Sequence, residues 1–274
     1  METQSSVTRL HERQDNQERR EEHALVHNWL TTIDYGSQQT DYIRERGPKT
    51  GEWLLDSPKF RTWLQTDKQT LFCPGIPGAG KTVLTAIVVE YVISKFCQDL
   101  DVGIAYIYCN FRRKDDQKLN DLLASLLQQL SKTKPSTPVV VADLYKQHKS
   151  RQTRPSTDEL SKALQSIAAS YSRVFIIVDA LDECQAESRC RDKFLSEVFL
   201  MQEKCSANLF MTSRFIPDIT IKFNGQPCLE IRAAKEDIER YLESHMENLS
   251  SFEDWDLQLQ GEIKEEISQA VDGM

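Results

Sequence analysis

Nowhere in its 274 residues does the chain hold an apolar run long enough to cross a bilayer. A spanning helix needs about 20 consecutive apolar residues, and the longest stretches here, such as Ala86–Val89 and Val174–Val178, stop far short. An excess of positive charge is missing too. Lys and Arg total 34 against 42 Asp and Glu, for a formal net charge of −8. The basic residues are scattered among acidic ones, which argues against a general binder of nucleic acid or of membrane surfaces. The seven cysteines (Cys73, Cys97, Cys109, Cys184, Cys190, Cys205 and Cys228) form no C-x-x-C pair and have no histidine at finger spacing, so no zinc site is expected. Several of them lie in apolar runs, where cysteine serves as a small hydrophobe. His23 and His27 stand four apart on an expected helix. They could in principle meet on a metal, but an exposed or half-packed helix face accounts for them. Glu2, Arg9, Glu12 and Arg13 precede any apolar block, unlike a secretory leader. A reducing, cytoplasmic setting is the expectation. Low-complexity tracts and internal repeats are absent as well.

What the chain does contain is Leu71-Phe72-Cys73-Pro74-Gly75-Ile76-Pro77-Gly78-Ala79-Gly80-Lys81-Thr82, a match to G-x-x-x-x-G-K-[ST]. A phosphate chain needs several backbone N–H groups aimed inward together, and a glycine-rich loop bends tightly enough to supply them. A helix after the loop adds its unpaired N-terminal N–H groups and the positive end of its dipole. The candidate phosphate-binding residues are therefore Gly75, Ile76, Pro77, Gly78, Ala79, Gly80, Lys81, Thr82 and Val83. Lys81 can reach the β- and γ-phosphates, and the Thr82 hydroxyl can ligate Mg²⁺. The plain alternative is a glycine turn with an idle lysine. An apolar run before the loop and a helical one after it (Val83, Leu84, Ile87, Val88, Tyr91, Val92) weigh against that.

In chain order, residues 1–24 form a polar lead-in of mixed charge. Residues 25–66 are read as a helical segment ahead of the loop. Within it, Leu25, Val26, Trp29, Leu30 and Ile33 mark one short helix, Asp34–Thr50 is loop-like, and Ser57-Pro58 starts a second helix with Phe60, Trp63 and Leu64 on its apolar side. The core is read as 67–232. There Val102–Cys109 is an expected strand, and Leu119–Leu130 a helix with a leucine face. Val140–His148 and Thr157–Tyr171 are further helices. Val174–Val178 is a buried strand ending at Asp179, Cys190–Lys204 a helix, and Asn208–Met211 and Cys228–Ile231 are strands. The remainder, 233–274, reads as helical over Lys235–Leu249 and Gln258–Val271.

Strands alternating with helices predict an α/β fold, a parallel sheet covered on both faces. Ligands of such sheets collect outside the carboxyl ends of the strands, and three polar clusters fall at that edge. They are Gly75–Thr82, Asp179-Ala180-Leu181-Asp182-Glu183, and Thr212-Ser213-Arg214. An aspartate after an apolar strand is where a phosphate-loop enzyme holds Mg²⁺, which makes Asp179 the candidate metal residue with Thr82. Asp182 or Glu183 could orient or deprotonate a water. Arg214 could meet the γ-phosphate, where charge develops during transfer. With Lys81, these are the candidate catalytic residues. An acidic turn capping the next helix and a surface salt bridge are the bland accounts of the last two clusters.

Together the three clusters resemble the NACHT family within the STAND class of signalling NTPases. More narrowly, the chain is similar to fungal NLR-like proteins whose NTPase region resembles the N-terminal domain of nephrocystin-3. Thr50-Gly51-Glu52-Trp53-Leu54-Leu55, with Phe60 and Trp63, also matches that group's lead-in. The resemblance covers about residues 25–274. It implies a P-loop NTPase three-layer sandwich with a mainly parallel five-stranded sheet, the Asp179 strand beside the Arg214 strand. It also implies a slow hydrolase of ATP or GTP with Mg²⁺, and nucleotide-dependent self-association or NLR-type signalling partners; charge, apolar runs and cysteine spacing set aside nucleic acid, membrane and zinc as partners. On this resemblance Asp179 is the magnesium aspartate, Asp182 and Glu183 the hydrolytic acidic pair, and Arg214 the first sensor. The guanine signature N-K-x-D is absent, which favours ATP. Family members continue into a winged-helix segment and a repeat array, so this chain is expected to be an NTPase core with a partial helical lid over 233–274. Two functions compete on these grounds, a nucleotide-hydrolysing switch and a nucleotide-binding scaffold with negligible hydrolysis. A metabolic kinase is disfavoured by the lack of an acceptor-substrate domain or an arginine-rich lid.

Overall fold

The apolar runs dictate the centre of the molecule. In a computed structural model, described for residues 17, 21–47, 49–184, 189–232, 237, 240, 258–259, 261–263 and 265–266, they form four parallel strands. These are β1 (Thr70–Pro74), β2 (Val102–Tyr108), β3 (Arg173–Asp179) and β4 (Ala207–Ser213), in the order β1-β4-β3-β2. β3 and β4 are buried on both faces, as their central apolar runs Val174–Val178 and Leu209–Met211 require. Alternate residues face opposite layers. Phe72, Val174, Ile176, Val178, Leu209 and Met211 pack with α6 (Leu119–Lys132), α8 (Thr157–Ala168) and α9 (Cys190–Lys204). Leu71, Cys73, Phe175, Ile177 and Phe210 pack with α3 (Glu52–Asp56), α4 (Pro58–Gln65) and α5 (Lys81–Phe96). The three-layer sandwich follows. The Asp179 strand lies beside the Arg214 strand, Val178 registering with Met211. Among the described residues no helix is long and apolar enough to cross a membrane.

The fifth strand expected at Cys228–Ile231 takes a reduced form. Two isolated parallel bridges, Phe72 with Cys228 and Gly75 with Ile231, line the free edge of β1. The pairing is real but sparse, with Leu229 N donating to Phe72 O at 2.9 Å and Ile231 N to Pro74 O at 2.7 Å. It also gives the first glycine of the loop its reason. A Cβ on Gly75 would stand 2.5 Å from the Ile231 carbonyl oxygen, so the close approach of backbone to backbone excludes any side chain there.

Ahead of β1, Ser57 caps α4 as expected, accepting from Phe60 N at 3.1 Å with Pro58 at the first helical position. Trp63 from α4 is buried against Phe175 and Phe210 and donates its indole N–H to Leu209 O at 2.9 Å. The loop-like reading of 34–50 needs correction: Tyr35–Arg44 is a helix, α2. Asp34 caps it, accepting from Gly36 N at 2.9 Å. Beside Tyr35, Tyr42 and Ile43, which pack on the core, it is anchored by a buried glutamine: Gln39 Nε2 donates to Ala86 O at 2.9 Å and its carbonyl is bonded by the Tyr108 hydroxyl. The first helix, α1 (21–30), docks on α6 through Val26, Leu30 and Gln128, whose amide donates to His27 O at 2.8 Å and Thr31 O at 2.9 Å. α7 (Val139–Arg151) completes that layer. The helices expected over 235–249 and 258–271 lie largely outside the described residues.

Two predictions follow from the packing. Gly75→Ala forces the Ile231 carbonyl aside, and overpacking of this kind costs about 1–3 kcal/mol, to be read as a lower urea midpoint. His27 is only 1% exposed, not half-packed. Its Nε2 lies 3.0 Å from Nε2 of His23. Burial, with His23 and Lys132 nearby, lowers its pKa from 6.5 to about 4. Between those values the unfolded chain binds the extra proton, so this contribution to stability is complete above pH 6.5 and is lost as the pH falls towards 4. The melting temperature should therefore drop across that window in the natural chain and fall less steeply in His27→Gln.

Candidate functional site

The loop between β1 and α5 is bent by Gly78 and Gly80, with φ of +80° and +82°, in the left-handed region that favours glycine. At both positions the space a Cβ would take is empty. Gly80 caps α5 without a side chain, so no side chain competes for the N–H groups of its first turn. Lys81 folds back over the loop, its ammonium donating to Gly75 O at 2.9 Å and Ile76 O at 2.7 Å. Partial burial lowers its pKa, while the carboxylates of Asp182, Asp179 and Glu183 work the other way.

Across from the loop, the central strand β3 delivers Asp179 to the sheet edge with only 2% of its surface exposed. A buried carboxylate must be hydrogen-bonded, and hydroxyls from two neighbouring elements serve it. Thr82 donates to Oδ2 at 2.7 Å, and Thr212 of β4 donates to Oδ1 at 2.6 Å. Thr85 Oγ1 lies 2.9 Å from Oδ1. Burial raises the Asp179 pKa, against the pull of these hydroxyls and of Lys81. The Thr212 hydroxyl also accepts from Ala180 N at 2.9 Å. Ala180 has φ +52°, in the left-handed region, and swings the chain into the short 3₁₀ turn Leu181–Glu183.

That turn presents the acidic pair to Arg214, the residue after β4. Arg214 Nε lies 2.9 Å from Asp182 Oδ2, its backbone N donates to Asp182 Oδ1 at 3.0 Å, and Nη2 is 3.6 Å from Glu183 Oε1. The remaining oxygen, Glu183 Oε2, accepts from Phe111 N at 3.3 Å, just beyond β2. The Asp182 side chain is buried and that of Arg214 half-exposed.

The structure thus brings Gly75–Thr82, Asp179, Asp182, Glu183 and Arg214 together at one end of the sheet; Val83 follows within the first turn of α5. Sequence reading missed Thr85 and the Phe111 backbone. Thr85 follows Thr82 by three residues, so both fall on one helix face. That spacing was a usable signal, whereas the Phe111 contact depends on how strands order themselves.

No curated protein matches the chain. Several solved structures are similar to it. The Aeropyrum pernix ORC2 protein, in ADPNP–ADP complexes, is 15% identical with a TM-score of 0.48, over 74% of this chain and 53% of that one. The Walker-type ATPase PABY2304 of Pyrococcus abyssi is 14% identical with a TM-score of 0.45, over 78% and 60%. Domain III of the Thermotoga maritima replication initiation protein DnaA is 11% identical with a TM-score of 0.41, over 76% and 74%. The chain spans about half the length of the ORC2 chain it matches. The family described as Nephrocystin 3, N-terminal, matches residues 49–214, which run from the lead-in through the phosphate loop and Asp179 to Arg214. Since that match takes in more than half of the sequence and every residue of the site, the chain belongs to the nephrocystin-3 N-terminal family.

Proposed function

We propose that this P-loop domain binds ATP with Mg²⁺ at Gly75–Thr82 and hydrolyses it slowly, acting as a NACHT-type, nucleotide-dependent switch that changes its state of self-association. The observation that carries the reading is the 2.7 Å bond from the Thr82 hydroxyl to Asp179 Oδ2. It joins the phosphate loop to the end of the central strand through two oxygen donors of the type Mg²⁺ prefers. The residues fit both groups. Left-handed glycines with open space beside them and an uncapped helix start suit a phosphate chain. Among the described residues no cluster of three His, Cys, Asp or Glu could hold a metal unaided, and Mg²⁺ commonly rests on one or two protein oxygens with the rest from phosphate and water. Bound there by Thr82 and Asp179, the cation would neutralise charge on the phosphate oxygens.

The protein's own groups then divide the work. Lys81 supplies a cation beside the loop, and the first turn of α5 supplies N–H groups and the helix dipole. Glu183, with Asp182, would orient or deprotonate a water, and Arg214 would meet developing negative charge. One observation favours the rival reading, a scaffold that binds nucleotide without turning it over. Every carboxylate oxygen of Asp182 and Glu183 already faces a donor from Arg214 or Phe111, so a water must compete with those donors for the lone pairs that remain.

Lys81→Ala should lose tight nucleotide binding by about 10–100-fold, the scale of one hydrogen bond to a charged group. Fluorescence titration with ATP and GTP in Mg²⁺ measures this, and affinity like that of the natural chain would remove the loop as the site. Glu183→Gln and Asp182→Asn separate the two readings. In a switch, the variant lacking the working carboxylate should bind ATP·Mg²⁺ as the natural chain does and hydrolyse it about 10²–10⁴-fold more slowly. Its nucleotide-bound oligomer should accumulate on gel filtration. In a scaffold, single-turnover rates of all three proteins coincide near background. Clear hydrolysis that survives both changes together would sink the role given to the acidic pair.

A further inference from the structure

Thr85 lies outside every motif of the chain, yet its side chain is completely buried and its hydroxyl reaches the metal aspartate. Oγ1 is 2.9 Å from Asp179 Oδ1 and also 2.9 Å from the Lys81 carbonyl oxygen one turn back. A threonine hydroxyl has one proton to give. Helical threonines commonly spend it on that preceding carbonyl, but a carboxylate is the stronger acceptor. Thr212 approaches the same oxygen from β4 at 2.6 Å. Oδ1 is therefore held from two sides by neutral hydroxyls on different elements, and Oδ2 is left beside Thr82.

We infer that Thr85, together with Thr212, is a positioning residue for the Mg²⁺ site: the two hydroxyls fix Asp179 Oδ1, so that Oδ2 is presented on the side of Thr82. The inference rests on the reading of Thr82 and Asp179 as the metal residues. Thr85 touches neither nucleotide nor metal in this role. It sets the angle of the carboxylate, and it ties that angle to α5, the helix that begins at Lys81. Removing the hydroxyl leaves Oδ1 to Thr212 alone and loosens the hold on the carboxylate's angle. The loss falls on metal-dependent binding and spares the phosphate loop.

The test uses the whole chain and a fluorescent ATP analogue, titrated at a series of Mg²⁺ concentrations and again in chelator. Thr85→Val keeps the shape and removes the hydroxyl. It should raise the Mg²⁺ concentration needed for half-maximal tight binding by about 10–100-fold, the usual loss when a partner of a metal ligand is removed. Affinity in chelator should be unchanged, and Thr85→Ser should restore the natural midpoint. Should the valine variant fail to fold, Thr85→Ala gives the same comparison. A natural Mg²⁺ midpoint in the folded variant overturns the inference, because the hydroxyl then serves only the Lys81 carbonyl. So does an equal loss with and without Mg²⁺, which marks a general packing defect. If the natural chain binds the analogue equally well in Mg²⁺ and in chelator, the reading of Thr82 and Asp179 fails and takes this inference with it. Loss in the variant alone cannot be mistaken for that.

Discussion

A carboxylate carried into the interior by its own strand is the constraint that the rest of the site answers to. Arg173–Asp179 has a strand on each side and helices on both faces, and the run Val174–Val178 gives it no reason to be anywhere else. Asp179, as the last residue of that strand, is buried because its neighbours are. An unpartnered charge there costs several kcal/mol, so the surrounding elements must bring donors. α5 brings Thr82 and Thr85, and β4 brings Thr212. These bonds tie the phosphate-loop helix and the end of β4, already laddered to β3, to the end of the central strand. The apolar core and the polar site are in this sense one construction.

The same carboxylate reaches the acidic pair through a single hydroxyl. Thr212 bonds Asp179 on one side and Ala180 N on the other, which holds the left-handed residue that opens the turn to Asp182 and Glu183. Arg214, two residues further along the same chain, then closes on that turn. A half-exposed ion pair by itself contributes little. Here the backbone N–H of Arg214 and its Nε approach the two oxygens of a buried aspartate, and that fixed geometry gives the contact its weight. Buried hydrogen-bonded chains of this kind polarise one another, so a change at Asp179 and a change at Arg214 are felt in the same turn.

What could be read from the sequence was whatever is encoded locally. The phosphate loop is a spacing within one short stretch, the β3 strand is a continuous apolar run, and Ser57-Pro58 is a cap followed by a proline suited to the first helical turn. Each needs only its immediate neighbours. Tyr35–Arg44 escapes local reading because the centre of its packed face is polar: between Tyr35 and the pair Tyr42 and Ile43 stands Gln39, satisfied by Ala86 and Tyr108, residues far off in the chain. A buried glutamine is invisible to any search for apolar periodicity. Gly75 looks in sequence like one more loop-bending glycine, but its φ is ordinary and its constraint is the Ile231 carbonyl. The grip of Arg214 on both acids, and of Phe111 N on Glu183, depends on strand order, which no local pattern carries.

The position of Lys81 shows how the loop keeps its shape while remaining able to change partners. Its ammonium is satisfied by two neutral carbonyls of the loop itself, which pull residues 75 and 76 towards the start of α5 and hold the curve that Gly78 and Gly80 permit. Those bonds are charge-assisted on the donor side alone. An anionic phosphate oxygen puts an opposite charge on the acceptor as well, and partial burial of the lysine reduces the competition from water. Exchanging carbonyls for phosphate is therefore favourable for the ammonium. It also frees two carbonyl oxygens that must then turn to solvent or to other donors. The loop is shaped by a contact that an anionic oxygen could replace, so the cation that holds its geometry is also the one the proposed binding reading calls on.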